Sequence, residues 1–366
     1  MFKKLDDLLD SFLTYPVPWN DCIVCHKGEV IYRRFAGFTD AKKTMPVTGK
    51  EKCQIFSCSK LITCSAALQL WEKGAFQMED ELALYLPEYA QMKVKTPDGG
   101  VRDAENKITI RQLFAMTAGF NYDVTSKSML RAYDATNGSC HTREVIRHLA
   151  QEPLEFEPGT RWQYSLAHDV LAAVVEVISG MSFNDYVTKN IFDVLGMKDS
   201  TFLLPASEFD SVVPLYQELP EGERLYSVKG PGYWWGNPYR LGPCYACGGA
   251  GCVSTVEDYN KLLQTLCSGE KILKRGTVDL MRTDQLSEQV RKECFGELLH
   301  SYGLGVRCPP RGSSRTDFGW GGAGGAYYAI DPDRELTVLY MQHVTGSSLS
   351  LLRPKILETV YEILGY

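Results

Sequence analysis

Ser57 and Lys60, in the stretch Phe56-Ser57-Cys58-Ser59-Lys60-Leu61, open the apolar run from Ile62 to Trp71. At 3.6 residues per turn, side chains three apart share one helix face. A serine hydroxyl is a poor nucleophile until a neighbour takes its proton. An amine can do so where burial and nearby cations lower its pKa. The start of a helix adds free backbone N–H groups and the positive end of its dipole, which suit a developing oxyanion. By itself S-x-x-K also fits an N-capping serine followed by a solvated lysine, so the rest of the chain has to decide.

Other patterns compete for a chemical role. Cys22/Cys25 and Cys244/Cys247 have the spacing of zinc ligands, with Cys252 close to the second pair. The first pair lies in an expected strand, where residues three apart face opposite sides, and the second has no histidine nearby. The six histidines form no H-E-x-x-H pattern. No metal and no cofactor is expected. Gly319-x-Gly321-x-x-Gly324 matches a dinucleotide fingerprint, but Ala326-Tyr327-Tyr328-Ala329-Ile330 after it reads as a strand where that fold needs a helix. No G-x-S-x-G elbow is present either.

The elements that must position Ser57 and Lys60 follow from periodicity. Phe2, Leu5, Leu8, Leu9 and Phe12 have helical spacing, ended by Pro16 and Pro18. Cys22 to His26 and Glu29 to Arg33 flank Lys27-Gly28 as a hairpin. A short strand, Gln54-Ile55-Phe56, leads into the Ser57 helix, which stops at Gly74. From 76 to 200 helical patterns dominate: Ile110 to Met116 after Thr109, Thr142 to Leu149, 167 to Ile178, and Phe183 to Leu195. The stretch 121–140 reads as loop. The region 203–250 is rich in Pro, Gly and aromatics, a length of loop that usually marks function. Thr255 caps Val256 to Cys267. Strand signals return at Tyr302 to Val306, Asp317 to Trp320, Ala326 to Ile330 and Leu336 to Gln342, before a closing helix from Pro354. Strands at both ends and helices between imply an α/β fold, with one antiparallel sheet built from the two termini and a mostly helical insertion. The expected domains are 1–75 with 201–366, and 76–200, with the site between them.

Composition sets outer limits. The chain has 366 residues, 44% hydrophobic and 23% charged, ordinary for a globular protein with a sizeable core. A net charge of −6 offers no electrostatic case for nucleic acid or an anionic membrane. Asp6, Asp7 and Asp10 interrupt what would have to be the apolar core of a signal peptide, and no run approaches a membrane span. Twelve cysteines suit a reducing compartment, so the cytoplasm is the expected location.

Taken together, several blocks resemble the serine β-lactamase and penicillin-binding-protein superfamily, in its class C β-lactamase-like branch that includes esterases. They are the Ser57/Lys60 motif, Leu70-Trp71-Glu72-Lys73-Gly74, Tyr85-Leu86-Pro87-Glu88, Thr117-Ala118-Gly119-Phe120, Phe156-Glu157-Pro158-Gly159-Thr160, Tyr164-Ser165, Leu195-Gly196-Met197, Gly248-Gly249-Ala250-Gly251, and Gly319 to Gly325. Their order along most of the chain is far more specific than any one of them.

The resemblance implies that Tyr164, in the position of the family's Y-x-N tyrosine, shares proton transfer with Lys60. It implies an oxyanion hole from the backbone N–H groups of Ser57 and Ala323. Trp320-Gly321-Gly322 stands where the family has K-T-G on the strand lining the site. Two departures follow: Leu166 replaces the asparagine that helps bind a lactam amide, and Trp320 replaces the lysine that supports the substrate carboxylate. A site without those donors loses the preference they confer. Trp320, Gly321, Gly322 and Leu166 are expected to contact substrate, and Tyr233, Trp234 and Trp235 to wall an apolar pocket. His168 and Cys58 are assigned to packing. The implied function is a serine hydrolase acting on a small-molecule ester or amide through an acyl-enzyme. The alternatives are a β-lactamase, a D-alanyl-D-alanine peptidase, an acyltransferase, or a binding protein that has lost the reaction. Oligomeric state is not legible.

Overall fold

Cys22-Ile23-Val24-Cys25 is apolar without alternation because its strand is covered on both faces. In the computed structural model, which describes residues 1–366 except Ala41, Thr125, 220–224, 228–242 and 296–299, this strand is β1 (Trp19–His26). It pairs with β2 (Glu29–Gly37) on one side. The other strands of its sheet all come from the C-terminal part: β3 (Ser301–Tyr302), β4 (Arg307–Cys308), β5 (Phe318–Gly321), β6 (Tyr327–Asp331) and β7 (Leu336–Met341). The order across the sheet is β2-β1-β7-β6-β5-β4-β3, and every neighbouring pair is antiparallel. The two ends of the chain therefore meet at β1 and β7, with Ile23 opposite Leu339.

Alternation along the strands feeds two cores. Cys22, Val24, Tyr327, Ala329, Val338 and Tyr340 face helices α1 (Lys3–Phe12) and, at the C-terminus, 355–364; there Leu5, Leu9, Phe12, Ile356 and Val360 are buried. Ile23, Cys25, Tyr328, Ile330, Leu339 and Met341 face the other way, into a larger core. Cys22 and Cys25 thus lie on opposite faces of the sheet. At the centre of the larger core is α2 (Ser59–Glu72), in which every residue from Ser59 to Leu70 is buried. A helix buried on every side has no solvent face to present. Beside it lie α3 (Ala167–Ser179), most of it buried, and α4 (Val256–Ser268). The C-terminal helix Lys355–Leu364 is α5. Among the described residues no single helix is long and apolar enough to cross a membrane.

Several elements differ from the sequence reading. The stretch 121–140 contains a helix, Lys127–Ala135, capped by the Ser126 hydroxyl, which accepts from Met129 N–H at 3.3 Å. Only Ser128, Met129 and Ala132 of that helix are buried, too few for a clear periodic signal. The helix after Thr109 stops at Phe114, because Met116 adopts a left-handed φ of 58°. Phe183 to Leu195 is helical but passes through a π turn at Thr188–Phe192. Tyr302 to Val306 is not one strand: the chain reverses there, with Gly303 N–H donating to Val306 O at 2.8 Å. Residues Cys53–Gln54 pair with Val253–Ser254 and not with the main sheet. Two helices went unread in the sequence, Arg275–Met281 and Glu288–Phe295.

Two histidines tie the fold to pH. His343 is fully buried; its Nδ1–H donates to Val213 O at 3.1 Å and its Nε2 accepts from Gln54 N–H at 3.3 Å, so the ring is neutral. Burial pushes it down to about 4. Burial, helped by the charge of Lys60, pushes His168 down to about 3, with Nε2–H donating to Phe114 O at 3.2 Å. Below the unfolded value of about 6.5 the unfolded chain binds protons that these folded rings refuse. Stability therefore falls as pH drops from about 6.5 towards 4, at up to about 1.4 kcal/mol per pH unit for each ring. Asp317, held low in the folded state by its arginine partners, adds to the loss at the acid end. The expected result is a lower urea midpoint at pH 5 than at pH 7.5, with two imidazoles that stay neutral by NMR at pH 5. If all six histidines titrate near 6.5, the burial argument is wrong.

Candidate active site

The segment before α2 is built to present a side chain. The Cys53–Gln54 strand gives way at Ile55 to a 3₁₀ turn, Phe56–Cys58, which runs straight into α2. Phe56 takes φ 48°, a conformation costly for a residue with a bulky side chain, and this bend directs the chain just before Ser57. Ser57 is 9% exposed. One turn on, Lys60 is fully buried, and its ammonium donates to Gly249 O at 2.7 Å and to Ser57 Oγ at 3.4 Å.

Lys60 sits among aromatic rings. Its Nζ lies 4.5 Å from the ring centre of Tyr164 and 5.4 Å from that of Tyr122. The two tyrosine rings stack nearly parallel, 5.3 Å apart, and Tyr164 stacks at 5.6 Å on Trp320 on β5. Trp320 Nε1–H donates to Tyr164 Oη at 3.3 Å. Tyr164 itself lies in irregular backbone just before α3. That segment is fastened by Gln163 N–H to Met116 O at 3.0 Å and by Leu166 N–H to Asn121 O at 3.0 Å.

Burial acts to lower the Lys60 pKa; the oxygens of Tyr122 and Tyr164, the latter through a hydrogen bond, and the buried carboxyl of Asp169 act to raise it, and the net direction is upward. Lys60 is therefore an ammonium at neutral pH, suited to stabilising negative charge and not to taking up a proton in the resting state. Burial raises Tyr122 to about 12, so its phenol is neutral.

Behind Lys60, Asp169 on α3 is fully buried and accepts from Tyr245 Oη at 2.7 Å. Burial pushes its carboxyl up, against that hydrogen bond and the Lys60 charge. Gly249 passes between the two: a Cβ there would lie 2.6 Å from Asp169 Oδ2 and 3.3 Å from Lys60 Nζ. Only glycine lets its carbonyl reach the ammonium without displacing one of them.

The turn after β5 closes the site. A Cβ on Gly322 would collide with the carbonyl oxygen of Ile55, and one on Gly324 would lie 2.8 Å from the Phe56 ring. These glycines let the 321–325 turn seat against the Ser57 turn, a packing reason in addition to room for substrate. Gly319-x-Gly321-x-x-Gly324 thus belongs to an antiparallel β5–β6 hairpin.

Ser57, Tyr164, Trp320, Gly321, Gly322 and Ala323 all line one cavity of about 590 Å³, with Lys60 behind its floor. Leu166 does not join them. Its side chain is fully buried in the core at the start of α3, because an apolar residue there gains more from packing than from a polar cleft. The expectation that it contacts substrate is withdrawn. Tyr233, Trp234 and Trp235 lie outside the described residues. The sequence reading missed Tyr122, Asp169, Tyr245 and the role of the Gly249 carbonyl. Asp169 was the most accessible of these, a carboxylate inside an apolar helix one short turn past Tyr164-Ser165. Cys58 and His168 are both fully buried.

A family model described as Beta-lactamase matches residues 22–360. Among curated proteins, the chain is similar to Protein Rv1367c of Mycobacterium tuberculosis, 28% identical over 371 residues and covering 90% of each chain. It is also similar to Esterase EstB of Burkholderia gladioli, 27% identical over 358 residues, covering 90% of this chain and 86% of that one. Among solved structures, EstCE1, described as a hydrolase with promiscuous acyltransferase activity, superposes with a TM-score of 0.80 at 23% identity over 98% of both chains.

Proposed function

The chain belongs to the β-lactamase family, and on that premise we propose that it is a serine hydrolase acting on small carboxylic esters through an acyl-enzyme. The observation that carries this reading is the meeting of Ser57, Lys60 and Tyr164 at one cavity whose lactam-recognising positions hold Trp320 and a buried Leu166.

In this reading the Ser57 Oγ–H bond breaks as Oγ bonds to the ester carbonyl, and the proton passes to the Tyr164 oxygen in its phenolate form, the phenol having first given its own proton to solvent. The Lys60 ammonium at the phenol ring and the Trp320 N–H on its oxygen favour the phenolate that takes up this proton. The carbonyl oxygen, now an oxyanion, is held by the N–H groups of Ser57 and Ala323. Tyr164 returns the proton to the leaving alcohol. Water then attacks the acyl-enzyme by the reverse sequence, and no cofactor is called for. We take the setting to be the cytoplasm, which suits twelve cysteines.

Rates on p-nitrophenyl butyrate and on a chromogenic cephalosporin test the substrate class. The expected result is turnover of the ester with little or none of the cephalosporin. A clear cephalosporin preference refutes the esterase reading in favour of a lactamase. Added alcohols that divert the acyl group from water would instead assign acyl transfer. A fluorophosphonate that fails to label Ser57 at all would favour a protein that only binds.

A further inference from the structure

The loss of a lysine at Trp320 suggests a site with no preference for acidic substrates, yet the remaining wall of the Ser57 cavity is basic. Among the described residues, Arg307, Arg315 and Arg353 line it, with Glu358 as the one acidic side chain there. Arg307, on β4, and Arg315, in the loop before β5, converge on one buried carboxylate, Asp317, at 2.5 and 2.9 Å. Burial works against that carboxylate, but the two arginines hold it ionised.

Arg353, in the turn just before α5, is fastened differently. Its Nη1 donates to the carbonyls of Gly322 at 3.3 Å and Ala326 at 3.2 Å, while its Nε is buried with no partner. Among the described residues no carboxylate comes within ion-pairing reach of it. Among the described residues three guanidiniums thus face two carboxylates, a positive surplus in a chain of net charge −6. Such a concave surplus focuses field and draws anions. A half-buried guanidinium without a counterion gains most from one brought by a ligand.

Shape adds a second point. A smaller cavity of about 230 Å³ is also lined by Arg315 and Glu358, and continues to Arg334, Tyr361 and Tyr366. Arg315 and Glu358 therefore border both cavities, so the space beyond the Ser57 cavity lies on the side of these two residues.

We propose that this site takes esters carrying a carboxylate a few bonds from the scissile carbonyl, with the carboxylate at Arg315 and Arg353 and the ester at Ser57. The inference rests on Ser57 being the nucleophile. The guanidinium forks suit a planar carboxylate, which each can meet with two hydrogen bonds.

Matched pairs test it: p-nitrophenyl hexanoate against mono-p-nitrophenyl adipate for an acid on the acyl side, and phenyl butyrate against 4-carboxyphenyl butyrate for one on the alcohol side. The expected result is a preference of about tenfold or more in kcat/KM for the acidic member of at least one pair, carried by KM and shrinking as salt rises. Arg315→Gln, which can still donate to Asp317, should cut that ratio several-fold, and Arg315→Glu should abolish or invert it. Equal rates within both pairs, or a ratio unmoved by Arg315→Glu, overturn the proposal. Calorimetric titration with adipate separates this from the hydrolase reading, since it needs no turnover. Binding by the wild type, weakened at least tenfold in Arg315→Glu, supports the anion site even if no ester is cleaved. Absence of binding by the wild type counts against it even if esters are.

Discussion

Replacing Ser57 by alanine is expected to remove ester hydrolysis almost entirely, with kcat/KM on p-nitrophenyl butyrate falling by about 10⁴-fold or more. That corresponds to a loss of roughly 5 kcal/mol in transition-state stabilisation. No other group in the described cavity offers a comparable nucleophile with a cation already at its oxygen. Lys60 lies 3.4 Å from Ser57 Oγ, and Tyr164 lies on the same cavity wall. Ser57 is small and at the end of a turn whose shape is set by Phe56 and the glycines packed on it, so the variant should melt within a degree or two of the wild type. Mass spectrometry should show a stoichiometric acyl or phosphonyl adduct on the wild type and none on the variant. Hydrolysis that survives the substitution would remove Ser57 from the mechanism, and the convergence of the three groups would then have only a structural meaning.

Tyr164→Phe is expected to lower kcat by about 10²- to 10⁴-fold while KM changes much less. The substitution is a clean one here. Phenylalanine keeps the ring that stacks between Tyr122 and Trp320 and that covers Lys60, and removes only the oxygen that accepts from Trp320 Nε1–H. Both formation and breakdown of the acyl-enzyme use that oxygen in the proposed sequence. The burst of p-nitrophenol and the rate of fluorophosphonate labelling should therefore slow together with steady-state turnover. A variant that acylates at the wild-type rate and stalls only in deacylation would confine Tyr164 to the second half of the reaction. One that loses nothing would move proton transfer to another group, for which the raised pKa of Lys60 makes a resting ammonium a poor candidate.

Local pattern and tertiary placement contributed differently to these expectations. Helical spacing in Phe2 to Phe12, the apolar run after Lys60 and the doubly buried strands were legible because each encodes its surroundings in its own periodicity. A sheet joined from both termini followed from where strand signals lie in the chain. The helix Lys127–Ala135 was not legible, since it buries too few apolar positions to rise above its background.

Among the site residues, Ser57 and Lys60 could be paired from sequence alone, because one helical turn sets their spacing whatever the rest of the fold does. Tyr164 and Trp320 could be named by resemblance, but only the packing of irregular backbone against β5 puts an indole N–H on a phenol oxygen. Leu166 shows the limit of that route: its position in a motif says nothing about which way its side chain turns, and burial turned it inward. The sign of the Lys60 shift was also beyond the sequence, which shows the amine but not the two phenols and the buried carboxylate around it. Charge at the cavity wall is the same kind of fact. Arg307, Arg315 and Arg353 are separated by stretches of ordinary sequence in an acidic chain, and only the closing of β4, β5 and α5 around one space makes their fields add.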